Sequence, residues 1–322
     1  MTQNAYKQAL AKLNTAQRAA VETIEGPVVV VAGPGTGKTH VLTTRIAHIL
    51  HETDSTPDSI LALTFTEAGA SAMQLRLYEL IGKDAYKTQI ATFHGFANQI
   101  IQEFPEYFPR IIGARQVDSL ERLELIEKIL TEGNFELLKP FGNELFYVKS
   151  ISQVIQDIKR EGYDPHKFEN LIKEQSKDFG SIEDLYHSKG KNEGEMKGKY
   201  KVLERKIEKN FELLQVFREY ERIKQEQKLF DYEDTILELL YALENEDDLL
   251  SALQERYLYI LADEHQDSNR AQNKILDHIS SFHENPNIFI VGDDKQAIYR
   301  FQGASLENFQ YFFKPAPRSD YN

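Results

Sequence analysis

Val28-Val29-Val30-Val31-Ala32-Gly33-Pro34-Gly35-Thr36-Gly37-Lys38-Thr39 is the stretch on which the fold turns. Four consecutive β-branched residues predict a strand buried on both faces, as in the middle of a parallel sheet. The strand runs into Gly-x-x-x-x-Gly-Lys-Thr, and helix-forming residues follow, which is the context a phosphate-cradling loop requires. Gly33, Gly35 and Gly37 allow a tight turn that aims backbone N–H groups inward at anionic oxygens. Lys38 supplies a positive charge for β- and γ-phosphates, and the Thr39 hydroxyl is of the kind that ligates Mg²⁺. The N-terminus of the following helix adds its positive pole to the same spot.

Moving outward, Val41, Leu42, Ile46, Ile49 and Leu50 mark an amphipathic helix, and the polar, Pro-containing segment 51–59 reads as a loop. Residues 60–66 predict a second buried strand ending in Thr-Phe-Thr. A helix over 67–80 follows, with Ala68, Ala72, Leu75 and Leu80 expected to face inward. Residues 90–96 predict a third strand ending in Thr-Phe-His. Three strand-to-helix units in the first hundred residues imply an α/β protein with a doubly wound parallel sheet. Ligands of such sheets bind beyond the carboxyl ends of the strands, where the phosphate loop, Thr64–Thr66 and Thr92–His94 all fall.

The pattern then breaks. Pro105, Pro109 and Gly113 punctuate the chain, and a long helical tract follows. Leu120, Leu123, Ile126, Ile129 and Leu130 form one stripe, and Leu203, Ile207, Leu214, Phe217 and Glu221 trace a later helix. Between them, 187–201 is rich in Lys, Gly and Glu and reads as a mobile loop. Buried strands return at 257–262 and 287–291. The expected organisation is therefore an α/β domain over 1–110 and 225–322, interrupted by an all-α domain over 111–224.

The 322 residues are 41% hydrophobic and 28% charged, as in soluble globular proteins. No apolar run reaches the roughly 18 residues of a membrane span, and the polar amino terminus lacks the core of a signal peptide. Zero cysteines exclude disulfides and thiolate metal sites and suit a reducing cytoplasm. The net charge of −13 argues against gripping nucleic acid by bulk electrostatics. A local groove with aromatic stacking and a few aligned donors stays open.

Two acidic residues after a hydrophobic strand are what a phosphate-loop enzyme needs opposite its loop. Asp263 is placed to hold Mg²⁺ and Glu264 to orient and deprotonate an attacking water, although acidic residues at a strand end also serve as helix caps. Asn14 or Thr15 is a candidate cap for a helix starting near Ala16. The Gln17 amide offers the donor and acceptor that match an adenine edge, or simply a solvated helix position. Gln296, just past a strand end, is placed to touch a γ-phosphate and sense its loss. Tyr299 and Phe301 fit base stacking or ordinary packing equally well.

Taken in order, Asn14–Gln17, Ala32–Thr39, Thr64–Thr66, Thr92–His94, Asp263–Asp267 and Val291–Ala304 resemble the successive motifs of the UvrD/Rep/PcrA helicases of superfamily 1. Phe230-Asp231-Tyr232-Glu233-Asp234 resembles the family's Asp-Phe-x-Asp segment. The resemblance implies a RecA-like sheet with an inserted accessory domain facing duplex DNA. It implies ATP and Mg²⁺ as cofactors, and 3′-to-5′ translocation on single-stranded DNA with unwinding at a duplex junction. By that likeness Gln17 and His40 meet the nucleotide base and Ala32, Gly33, Pro34, Gly35, Thr36, Gly37, Lys38 and Thr39 the phosphates and Mg²⁺. Asp263 and Glu264 serve hydrolysis, and Gln296 couples the γ-phosphate to a DNA site lined by Phe65, Thr66, Thr92, His94, Tyr299 and Phe301.

His40 stands where many relatives carry Arg, and Phe301-Gln302 replaces a common Trp-Arg. The family also uses a second RecA-like lobe that supplies arginines to the γ-phosphate, a contribution of about 10³–10⁵ in rate. No such lobe follows Ala304, so the chain reads as the N-terminal portion of a longer, monomeric helicase, weak in ATP turnover by itself. Two other readings share these motifs: an ATP-gated DNA-binding regulator without unwinding, and the helicase part of a helicase–nuclease.

Overall fold

The structure, a computed structural model, describes residues 2–189, 193–282 and 284–293. The chain divides into two compact units, Met1–Ile112 with Thr235–Asn322, and Gly113–Asp234.

The first unit opens with α1 (Thr2–Ala11) and α2 (Thr15–Glu22). It continues with β1 (Val28–Val31), α3 (Lys38–Glu52), β2 (Ile60–Thr64), α4 (Glu67–Ile81), β3 (Gln89–Thr92) and α5 (Phe93–Glu103). The second unit holds β4 (Arg115–Gln116), α6 (Ser119–Glu132), α7 (Val148–Arg160), α8 (Pro165–Gly180), α9 (Gly198–Glu226) and β5 (Leu229–Phe230). The division falls inside α10 (Tyr232–Asn245), and the first unit ends with α11 (Asp247–Arg256), β6 (Tyr259–Ala262), α12 (Arg270–Ser280) and β7 (Ile288–Gly292).

Among the described residues the first unit builds one all-parallel sheet in the order β1-β7-β6-β2-β3. Val31 lies opposite Gly292, Leu63 opposite Ala262 and Thr64 opposite Thr92, so the carboxyl ends share one rim. Ile60, Ala62, Tyr259, Leu261, Phe289 and Val291 pack on one face against Val41, Leu42, Ile46, Ile49, Met73 and Leu77 of α3 and α4. The alternate residues Leu61, Leu63, Ile260, Ile288 and Ile290 are also buried, as expected of central parallel strands covered on both faces.

Four sequence expectations are corrected here. The valine strand β1 pairs only with β7 among the described residues, is half-buried, and leaves Val31 53% exposed. A short apolar run cannot distinguish a central strand from an outer one. β3 stops at Thr92 and the helix begins at Phe93, because the Thr92 hydroxyl accepts from Gly95 N–H at 3.0 Å and caps α5. Thr66 does the same for Gly69 N–H and ends the β2 segment at Thr64. In α4 the inward face is Ala70, Met73, Leu77 and Leu80; Ala68 and Ala72 are exposed and Leu75 is 65% exposed.

The core of the second unit is helical: Ile126, Ile129, Leu130, Ile151, Ile155, Phe168, Ile172, Ile207, Leu214, Phe217 and Tyr220 pack together. Leu120 and Leu203, expected in its stripes, are exposed instead. Segment 187–201, expected to be a mobile loop, makes defined contacts among its described residues. Tyr186 and Met196 form an antiparallel bridge, the Asp184 carboxylate takes Lys197 and Lys199, and α9 starts at Gly198.

Below this core lies a buried charge cluster. Lys159 Nζ meets Asp231 at 2.6 Å, Asp234 at 2.7 Å and Glu221 at 2.7 Å; Lys224 Nζ meets the same three carboxylates at 3.0, 2.5 and 2.9 Å. The carboxylate oxygens of Glu221, Asp231 and Asp234 lie within 4.8 Å of one another. Two ammonium groups already sit among them, each in contact with all three carboxylates, so the cluster is an ion-pair network and not a cation site. Burial opposes the charge of Lys159, but its carboxylates outweigh that and raise its pKa. Asp234 is pushed up by burial and by Asp231.

Candidate functional site

The loop between β1 and α3 takes the left-handed conformations its glycines allow, with Gly35 at φ +71° and Gly37 at φ +84°. A Cβ at Gly35 would meet nothing within 4 Å, so it is the backbone conformation and not crowding that calls for glycine there. Thr36 Oγ1 donates to Gly33 C=O at 2.7 Å and braces the turn. Lys38 and Thr39 begin α3, which places a lysine and a hydroxyl at the positive end of its dipole. Ala32 N–H is already used by Gly292 C=O at 2.9 Å, the last rung joining β1 to β7.

β6 lies two places from β1 and delivers Asp263 and Glu264 to the same rim. Lys38 Nζ, 8% exposed, donates to Glu264 Oε2 at 2.7 Å, and Thr39 Oγ1 lies 3.4 Å from Asp263 Oδ2. Burial, with repulsion from Glu264 second, pushes the Asp263 carboxyl up to about 6. Asp267 is pushed to about 6 for the same two reasons. Glu264 itself sits in the left-handed region at φ 48°, rare for a side-chain-bearing residue and typical of functional sites.

These groups fit a nucleotide with a hard divalent cation. A cradle of N–H groups and a lysine suit anionic oxygens. A hydroxyl and a carboxylate side by side are oxygen donors of the kind Mg²⁺ prefers. The crowding that raises Asp263 is relieved by any positive charge placed beside it.

The remaining expected residues are distributed as follows. Asn14 and Gln17 form a reciprocal capping box at the start of α2, and Gln17 Nε2 also donates to Thr36 C=O at 2.9 Å, which brings its amide to the phosphate loop. His40 lies on the first turn of α3, beside a cavity of about 330 Å³ lined also by Lys12, Thr43 and Arg76. Thr66 and Thr92 cap α4 and α5 side by side, with Phe65 and His94 next to them, and Thr92 Oγ1 donates to Glu67 Oε1 at 2.7 Å. Gln296, Tyr299 and Phe301 lie outside the described residues.

Sequence reasoning passed over three residues here. Gln266 donates through Nε2 to Glu264 Oε2 at 2.6 Å and accepts Asp293 N–H at 2.9 Å, tying the ends of β6 and β7 together. Its only signal was its place in Asp-Glu-His-Gln-Asp. Glu67 ties the ends of β2 and β3 with no distinguishing pattern. The signal for Arg45 was its place among the apolar positions Val41, Leu42, Ile46 and Ile49 of an amphipathic helix.

Comparison with known proteins agrees in extent with this arrangement. A family model described as UvrD/REP helicase N-terminal domain matches residues 13–317. The ATP-dependent DNA helicase PcrA of Staphylococcus aureus (strain Mu50) is 30% identical over 310 residues, covering 96% of this chain and 37% of that protein. The PcrA of Bacillus subtilis (strain 168) is 30% identical over 312 residues, 97% of this chain and 37% of its own length. The chain thus spans little more than a third of the curated relatives it matches. No helix among the described residues is long and apolar enough to cross a membrane. With motifs in order from Asn14 onward and a family match over nearly its whole length, this chain belongs to the UvrD/REP helicase N-terminal domain family.

Proposed function

We propose that this chain is the ATP-binding part of a DNA helicase, in which hydrolysis of Mg-ATP drives 3′-to-5′ movement along single-stranded DNA and unwinding at a duplex junction. The observation that carries the reading is the pairing of Lys38 with Glu264, 226 positions apart, with Thr39 and Asp263 alongside. Such a set is of the kind that serves phosphoryl transfer. The names of the PcrA relatives support the choice of ATP and DNA.

In this reading Lys38 exchanges its partner. Without nucleotide it is neutralised by Glu264; with nucleotide it turns to the phosphates, and Glu264, 39% exposed at its side chain, is released to take a proton from water. Gln266 keeps the released carboxylate oriented while holding the backbone at Asp293. Bound Mg²⁺ would supply charge neutralisation at the phosphates, held by Thr39 and Asp263. Gln17 retains one amide N–H and one lone pair beyond its bonds to Thr36 and Asn14, enough to meet an adenine edge. The capped ends of α4 and α5, with Phe65, Thr66, Thr92 and His94, form the DNA side together with Tyr299 and Phe301, and Gln296 couples the γ-phosphate to it. A second RecA-like lobe completes the site, the working form is a monomer, and a cysteine-free chain of this kind acts in the cytoplasm.

The test is thermal. At a hundredfold excess over its Kd, Mg-ATP adds about 2.7 kcal/mol to the stability of a binding fold. Lys38→Ala is expected to abolish that shift, and an undiminished shift removes the assignment. With the second lobe present, Glu264→Gln is expected to bind ATP yet lose DNA-stimulated hydrolysis; retained turnover would assign the base elsewhere.

A further inference from the structure

Arg45 lies in the middle of α3, the helix that Lys38 and Thr39 begin, and is 1% exposed. No carboxylate pairs with it among the described residues. Its Nη1 donates to Ala20 C=O at 2.7 Å and to Thr23 C=O, and its Nη2 to Ile24 C=O at 3.0 Å. The ring of Phe289 in β7 lies 4.3 Å from its Cζ. Burial lowers its pKa to about 10, which leaves it cationic at neutral pH.

Those carbonyls belong to the last turn of α2 and its exit, where the helix leaves acceptors without intrahelical partners and presents its negative pole. The other end of α2 carries the Asn14–Gln17 capping box, and there Gln17 reaches Thr36 of the phosphate loop. The short helix α2 is therefore fastened at both ends to the loop–α3 segment that holds the phosphates. An apolar side chain of similar length would fill the same volume without burying an unpaired charge. What the guanidinium adds is direction: a planar fork of donors fixes both the place and the rotation of α2.

We propose that Arg45 is a positioning residue for base selection, setting α2 so that Gln17 presents its remaining donor and acceptor to adenine. Phosphate affinity does not depend on it, because Lys38, Thr39 and the glycine turn belong to the loop and α3 themselves. The proposal rests on the nucleotide-site reading above and adds to it the residue that makes the site discriminate among purines.

The test compares binding of Mg-ATP, Mg-GTP and Mg-tripolyphosphate to the full chain and to folded Arg45→Met and Arg45→Lys variants. The parent is expected to prefer ATP over GTP by about tenfold or more, the worth of roughly one well-aligned hydrogen-bond pair. Arg45→Met is expected to bring that ratio within about threefold while tripolyphosphate binding changes by less than about twofold. Arg45→Lys, which keeps the charge but not the fork, is expected to fall between. An ATP:GTP ratio unchanged in Arg45→Met, or a loss shared equally by tripolyphosphate, overturns the proposal. A parent with no preference for ATP fails earlier, at the adenine reading of Gln17.

Discussion

Replacing Lys159 with methionine removes one of two ammonium groups from the buried cluster and leaves Lys224 facing Glu221, Asp231 and Asp234 alone. Methionine fills nearly the same volume, so the cost is electrostatic. Breaking a buried pair by removing one partner costs about 3–5 kcal/mol. A ceiling follows from the cheapest escape, which is proton uptake by Asp234, the carboxyl already raised by burial and by Asp231. Holding a proton at neutral pH on an aspartate of ordinary pKa 3.8 costs about 4 kcal/mol, at roughly 1.4 kcal/mol per pH unit. The expected loss near pH 7 is therefore about 3–4 kcal/mol.

The sign of its pH dependence is fixed by the same argument. The variant binds a proton in the fold that its unfolded chain does not hold, so its stability falls as pH rises above 3.8, and its deficit relative to the parent grows. Urea unfolding followed by far-ultraviolet circular dichroism at several pH values between about 5 and 7.5 measures this, with the deficit changing by about 1 kcal/mol per unit. Adding Asp234→Asn should remove most of that slope. A loss below about 1 kcal/mol at neutral pH, or one independent of pH, refutes the account of the cluster as a network of ionised groups.

Three further outcomes are expected. Asn14→Ala removes the side-chain acceptor for Gln17 N–H and should lower stability by about 1 kcal/mol in a melting experiment. Gly37→Ala forces a side-chain-bearing residue to φ +84° and should cost roughly 1–2 kcal/mol and weaken Mg-ATP binding in calorimetry. His48, hydrogen-bonded to Tyr6 at 2.6 Å, has its pKa lowered by burial, so it opposes folding once pH drops below 6.5 and the unfolded imidazole gains its proton first. The acid-side fall in melting temperature should therefore be shallower in His48→Gln than in the parent.

The meeting of the candidate site's residues was legible because they stand in short, contiguous runs. Gly33–Thr39 needs particular residue types at fixed spacing, and so does the Asp263-Glu264 pair after an apolar strand. Helix phase was less legible. In α4 the alanines at 68 and 72 look as apolar as Ala70, and only the elements packed on it, the sheet with α1 and α3, select Ala70, Met73, Leu77 and Leu80. Strand ends were blurred for a different reason: Thr66 and Thr92 favour strands as residues, yet their hydroxyls satisfy N–H groups of the next helix and so end the strand. Of the ion-pair cluster only Asp231 and Asp234 were marked in the sequence, by their place in Phe230–Asp234, while nothing local distinguished Lys159, Lys224 or Glu221 as buried partners.

By itself the sequence determined the α/β class, the phosphate loop with its acidic partners, and the family, all of which rest on local composition and order along the chain. Only the tertiary structure decided that β7 and β6 stand between β1 and β2, bringing Glu264 to 2.7 Å from Lys38. It alone moved the valine strand outward from the centre of the sheet and gave Arg45 the carbonyls of α2 as its counter-charge. The physical reason is common to these cases: a side chain's environment is set by neighbours remote in sequence, and the identity of those neighbours is a property of strand order and helix packing, which no local pattern encodes.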